Sequence, residues 1–164
     1  MTEPDRLGPL AALHRQAGYL AIRLADAFRP RLSLGVRLVA FDARRRVFLV
    51  RHSYLPGWHL PGGAVDAGET CREAAIREAA EEGGLALDAR PELFHLYRSG
   101  AGGRRDHIVL FVAEGARQDR PRGPSAEILG SGFFSPDALP DGTTGGTRAR
   151  LREVLDGAAP GDVW

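Results

Sequence analysis

The chain has 164 residues, 43% of them hydrophobic and 26% charged, and a formal net charge of +1. That size and balance fit one globular domain and argue against a dedicated nucleic-acid or membrane surface, while leaving room for a local patch that binds a small anion. All 22 basic residues are arginine and Cys71 is the single cysteine, which excludes a Walker-type phosphate lysine, a Schiff base, a Ser–Lys dyad and an internal disulfide, and suggests a reducing, cytoplasmic setting.

No stretch approaches the roughly 18 uninterrupted apolar residues of a membrane span, and the N-terminus lacks the basic-then-apolar pattern of a signal peptide. Leu10, Leu13, Ala17, Leu20, Leu24 and Phe28 recur at helical spacing. They predict an amphipathic helix over residues 10–28, which Pro30 ends. This N-terminal part, residues 1–30, is expected to pack on the remaining domain, 31–164, or on a partner subunit, which leaves a homodimer open. A membrane-surface anchor is the competing reading of the same stripe.

Residues 33–41 and 46–51 read as strands separated by a turn at Asp42–Arg45, and hence as a hairpin. The arginines at 44–46 either bind phosphate or sit on a solvated turn. Arg51 and His52 close the second strand, where they become candidates to touch a substrate. Tyr54 to Gly63 is a loop with a short strand. Trp58 is either core or, like Tyr54, a ring on which a base or sugar stacks.

A helix is predicted over residues 71–82. Thr70 and Glu73 have the spacing of a capping box, the interior lacks Gly and Pro, and Gly83 and Gly84 supply the stop. At about 100° per residue Glu78, Glu81 and Glu82 share one face. Ala75, Ile76 and Ala79 share another, which can pack on a sheet. The i, i+4 pair Glu78 and Glu82 repels itself, so helix stability alone does not ask for it. A divalent cation reverses that sign, because hard cations take oxygen ligands. The alternative is a solvated acidic face, with Glu73–Arg77 and Arg77–Glu81 as favourable i, i+4 pairs. Glu69 stands before the helix, within reach of its N-terminus or of the same site. Cys71 at the helix start reads as a packing residue.

Beyond the helix, residues 93–98 alternate as a strand. Ser99–Arg105 is a Gly- and Arg-rich hairpin loop, from which Arg104 can meet an anionic ligand. Its glycines lack the context of a dinucleotide fingerprint. Residues 106–114 read as a strand buried on both faces, and 115–126 as a loop. Glu127 precedes a strand at 128–134. A short turn-helix at 135–140 and a last helix at 147–155 complete the chain.

Residues 63–85 carry a pattern more specific than any one of these elements. It runs Gly63, five residues, Glu69, seven residues, Arg77-Glu78, Ala79, one residue, Glu81-Glu82, one residue, Gly84, Leu85. This resembles the Nudix box at every constrained position, with Ala79 small where a larger aliphatic residue is usual. The resemblance implies a mixed sheet between helices, an α/β/α sandwich. It also implies hydrolysis of a nucleoside diphosphate linked to another moiety, with Mg2+ as cofactor and Mn2+ as a substitute.

By the same resemblance Glu78 and Glu82 are metal ligands and Glu81 is a ligand or base. The Gly62 carbonyl and Glu127 are further ligands, and Glu69 and Arg77 hold the carboxylates in place. Arg51, Tyr54, Trp58 and Arg104 are the expected substrate contacts. The box binds what all the family's substrates share, so a nucleotide sugar such as ADP-ribose and a nucleoside triphosphate both stay open. A silent, nucleotide-binding sensor domain is the rival reading, although such domains commonly lose box glutamates and all four are present here.

Overall fold

The computed structural model describes residues 33–100, 106–119, 121 and 127–164. The helix expected at 10–28 and Arg104 lie outside them. In chain order the elements are β1 (Ser33–Ala40), β2 (Val47–His52), α1 (Cys71–Gly83), β3 (Leu85–Leu87), β4 (Glu92–Arg98), β5 (Asp106–Ala113), β6 (Ala116–Gln118), β7 (Ile128–Phe134), a 3-10 turn (Pro136–Ala138) and α2 (Gly145–Asp156).

Strand β5 pairs with β1 in parallel and with β4 antiparallel. Strand β7 pairs with β2, and β6 with β3, both antiparallel. Alternate residues of the central strands point to opposite cores, as the strand period of two requires. Val36, Leu38, Ala40, Phe48 and Val50 meet Ala74, Ala75 and Ala79 of α1 in one core. Val39, Phe41, Val47 and Leu49 meet Leu151, Val154 and Leu155 of α2 in the other. The result is the expected α/β/α sandwich.

The expected hairpin of β1 with β2 does not form beyond one bridge, Phe41 to Val47. The turn itself is as expected. Asp42 Oδ1 accepts from the backbone N–H groups of Arg44 (2.9 Å) and Arg46 (2.8 Å), and Arg45 takes a positive φ of 61°. Two of the arginines of this turn serve structure: Arg45 pairs with Glu114 and Arg46 with Asp42. The strands diverge because their edges are taken. β5 lies on one side of β1, and on the other Val36 N–H donates to Gly63 O (2.8 Å) and Leu38 N–H to Pro61 O (3.0 Å). His59 in turn exchanges both backbone hydrogen bonds with Val50 of β2. Residues 59–65 therefore fill the slot that a hairpin partner would occupy, which delivers the start of the box into the middle of the fold.

Two further expectations need correction. Ile76 is 42% exposed, and Ala74 joins Ala75 and Ala79 in the packed face instead. The buried face runs through Ala75, Ala79, Glu82 and Gly83, about one residue's rotation away from Ile76. The stretch from residue 115, read as loop, contains β6, three residues long and therefore too short to leave an alternating pattern.

Candidate active site

Helix α1 begins and ends where local chemistry dictates. Thr70 accepts from Glu73 N–H and the Glu73 carboxylate accepts from Thr70 N–H (2.8 Å), while Gly84 closes the helix at φ 62°. Gly83 lies so close to the Phe48 ring that a Cβ would collide with it. The helix is thus pressed onto β2, and its last turn points at the loop entering the box.

Two glycines of that loop set the geometry. Gly62 has φ 143°, and a Cβ there would strike the Val36 carbonyl, so only glycine fits without strain. A Cβ on Gly63 would collide with the Glu78 carboxylate. Gly62 N–H donates to Glu82 Oε2 (2.8 Å). Glu78 and Glu82 therefore lie against two consecutive residues of one turn, one helical turn apart on α1.

Arg77 organises the outer carboxylates. Its Nη2 donates to Glu69 Oε1 (2.7 Å) and its Nε to Glu69 Oε2 (3.2 Å), a bidentate fork. Its Nη1 reaches Glu78 Oε1 (2.8 Å) and Glu81 Oε2 (3.2 Å), and its Nη2 also donates to Ala64 O (3.1 Å). The bonds from Arg77, and then the Asp66 N–H, hold the Glu69 carboxyl below its usual range. Arg77 is itself pushed further above its ordinary value by the same partners. Glu81 sits outermost, its side chain 57% exposed.

Glu82 occupies a different environment, at 6% exposure. Burial raises its pKa to about 7, and Glu78 and Glu127 push the same way, while Gly62 N–H and Arg37 pull it down. His52 is buried beside it, with Nε2 3.4 Å from Glu82 Oε1. Neither ring nitrogen of His52 has a hydrogen-bond partner, and burial together with the Arg37 charge keeps its pKa low. Arg37 of β1 donates from Nη1 to Leu60 O (2.9 Å) and to Gly62 O (2.6 Å). The carbonyl expected to face a metal is therefore engaged by a guanidinium. Among the described residues no three His, Cys, Asp or Glu side chains already converge on a common ion position; the carboxylates are drawn to Arg77 and to Gly62 N–H instead.

Glu127 is electrostatically coupled to Glu82 and accepts from the Tyr54 hydroxyl at 3.3 Å. Tyr54 is exposed, and burial of its hydroxyl next to the Glu127 carboxylate raises its pKa. The Arg51 guanidinium lies 5.5 Å from the centre of the Trp58 ring, which also packs edge-on against Phe134 at 4.9 Å. Trp58 is thus partly core, with Arg51 as its outer cover.

Sequence reasoning missed Arg37 altogether and read His52, with Arg51, as a candidate substrate contact, whereas the ring lies buried beside Glu82. The available signal was an arginine set inside the apolar run Val36–Phe41, a place where only a partnered charge is stable.

Comparison with known proteins gives consistent findings. A family model described as NUDIX domain matches residues 31–155. A relative named putative 8-oxo-dGTP diphosphatase from Bacillus subtilis is 28% identical over 126 residues, covering 76% of this chain and 80% of the relative. The crystal structure of a MutT NUDIX hydrolase from Burkholderia pseudomallei superposes with a TM-score of 0.64 at 28% identity, covering 76% of this chain and 99% of that one. An ADP-ribose pyrophosphatase from Streptococcus suis shares the fold, with a TM-score of 0.55 at 23% identity, covering 81% of this chain and 98% of that one.

Proposed function

The chain belongs to the NUDIX family and is a hydrolase of pyrophosphate linkages; from that premise we propose that it is Mg2+-dependent and acts on a nucleoside diphosphate linked to a further group, either a nucleotide sugar such as ADP-ribose or a nucleoside triphosphate. The observation that carries the proposal is the buried Glu82 carboxylate, fixed on Gly62 N–H at 2.8 Å with Glu78 packed on the adjacent glycine. Arg37 offsets this buried carboxylate only in part, since burial with Glu78 and Glu127 still raises its pKa to about 7, so a further positive charge would stabilise the ionised form. The surrounding donors, Glu78, Glu82, Glu127 and the Gly62 carbonyl, are all oxygens and suit a hard cation.

In this reading Glu78 and Glu82 would hold Mg2+, or Mn2+ in its place, with Gly62 O, Glu81 and Glu127 as further donors. A bound divalent ion supplies charge neutralisation on phosphate oxygens and lowers the pKa of an attacking water. The chain's own residues do the rest. Glu69 and Arg77 keep Glu78 and Glu81 from splaying apart, an outer-shell role. Arg51 offers an exposed guanidinium for a phosphate, and Tyr54, with the part of the Trp58 ring that Arg51 leaves uncovered, offers ring surface for the base or sugar. Arg104 is a further candidate for the anionic end of the substrate. The site acts on a small nucleotide and is expected to work in the cytoplasm.

The test is phosphate or phosphate-ester release across a nucleotide library with Mg2+ and with EDTA. Metal-dependent turnover of at least one nucleoside diphosphate derivative is expected. Equal turnover in EDTA would remove the metal from the proposal.

A further inference from the structure

The Gly62 carbonyl and the inner carboxylates face a positive charge that the family pattern does not explain. Arg37 enters from β1, two residues after Gly35, whose neighbouring backbone bridges to Ala64 of the box. Its Nη1 spans the Leu60 and Gly62 carbonyls. The guanidinium feels Glu82, Tyr54 and Glu78, and His52 and His59 feel it in return. Arg77, the arginine of the box helix, is committed to Glu69, Glu78 and Glu81 on the outer side. Among the described residues, Arg37 is the arginine that bonds the Leu60 and Gly62 carbonyls on the inner side.

We infer that Arg37 is a built-in stand-in for the metal: it holds the Gly62 carbonyl and offsets Glu82 and Glu78 in the metal-free protein, and it opposes cation binding through that shared carbonyl. The inference rests on the metal site proposed above. Its physical basis is Coulombic. A cation on the free side of a carbonyl oxygen that already accepts from a guanidinium stands about 4 Å from a like charge, and at that range the repulsion remains substantial even at the effective dielectric of a protein. Arg37 thereby stabilises the site without metal and weakens its grip on metal, so that the ion can exchange. It is a positioning residue: the bonds it makes are to backbone carbonyls of the box entrance, not to reacting atoms.

The experiment compares the full chain with Arg37→Met and Arg37→Lys. Mn2+ binding is measured from the free-ion electron paramagnetic resonance signal, and thermal unfolding is recorded in EDTA and in saturating Mn2+. Arg37→Met should lower the melting temperature in EDTA, bind Mn2+ at least about tenfold tighter than the parent, and show a larger Mn2+-induced rise in melting temperature. Arg37→Lys keeps the charge and should stay within about threefold of the parent affinity. Arg37→Met binding Mn2+ equally or more weakly than the parent overturns the inference and leaves Arg37 as scaffold alone. Should that variant not fold in EDTA, recovery of its circular dichroism by Mn2+ supports the stand-in role, and failure to recover in saturating Mn2+ overturns it. A parent chain that neither binds Mn2+ nor is stabilised by it defeats the metal-site reading itself, an outcome distinct from the others.

Discussion

Replacing Glu82 by glutamine tests burial and metal binding in one series of measurements. The amide is nearly isosteric with the protonated acid, and its oxygen can still accept from Gly62 N–H. In the metal-free protein the Glu82 pKa is raised from 4.5 to about 7, chiefly by burial. Below pH 4.5 the side chain is protonated in both the folded and the unfolded chain. Between 4.5 and about 7 the unfolded chain has released a proton that the folded chain still holds, so each step up in pH favours unfolding. Above about 7 both are ionised and the whole penalty stands. The gap amounts to about 3 kcal/mol. Urea unfolding in EDTA should therefore show the parent losing up to that much relative to Glu82→Gln between pH 5 and pH 8. At pH 8, Mg2+ should restore the parent and leave the variant unmoved, while turnover of the variant drops at least about 100-fold, near 3 kcal/mol of barrier. Parallel pH–stability curves would refute the burial argument. Equal stabilisation of both proteins by Mg2+ would refute Glu82 as a ligand.

Gly62→Ala should cost more than about 2 kcal/mol in urea unfolding, because a Cβ there strikes backbone that cannot yield; a loss under about 0.5 kcal/mol would show that the loop adapts. Glu127→Gln should lower turnover more than about threefold, under about 1 kcal/mol of barrier marking the limit, and a smaller change would reduce Glu127 to a partner of Tyr54. Away from the site, Glu153 accepts from Tyr97 (2.6 Å) and from Arg150 (2.7 Å) in the second core. Glu153→Ala leaves Arg150 buried without its carboxylate and should destabilise the chain by about 3–5 kcal/mol with kcat unchanged at a temperature where the variant is folded.

What could be read from the sequence was what short-range chemistry determines. Thr70, Glu73 and the two glycines after Glu82 fix α1 through groups no more than a few residues apart, and helical periodicity then turns sequence spacing into a shared face. That is why the acids of the box were legible as one constellation. The failed hairpin shows the opposite case. Asp42 and Arg45 do make the turn, yet a turn says nothing about which backbone edge is free, and the competitor for that edge, residues 59–65, comes more than ten residues later. Ile76 failed for a related reason: the helix face that packs is set by where Phe48 lets Gly83 approach, a contact between elements far apart in the chain.

Arg37 and His52 follow from this division. Both reach the inner acids only because β1 and β2 each pair with the box entrance instead of with each other. Had the hairpin formed, residues 59–65 would have no strand edges to bind. Gly62 would not be held against β1, and neither the Arg37 guanidinium nor the His52 ring would stand beside Glu82. The helix supplies the acids, and the long-range pairing supplies the charge and the burial that set their chemistry. A substitution that loosens the Pro61 and Gly63 bonds to β1 should therefore act on Glu82 even with every box residue intact.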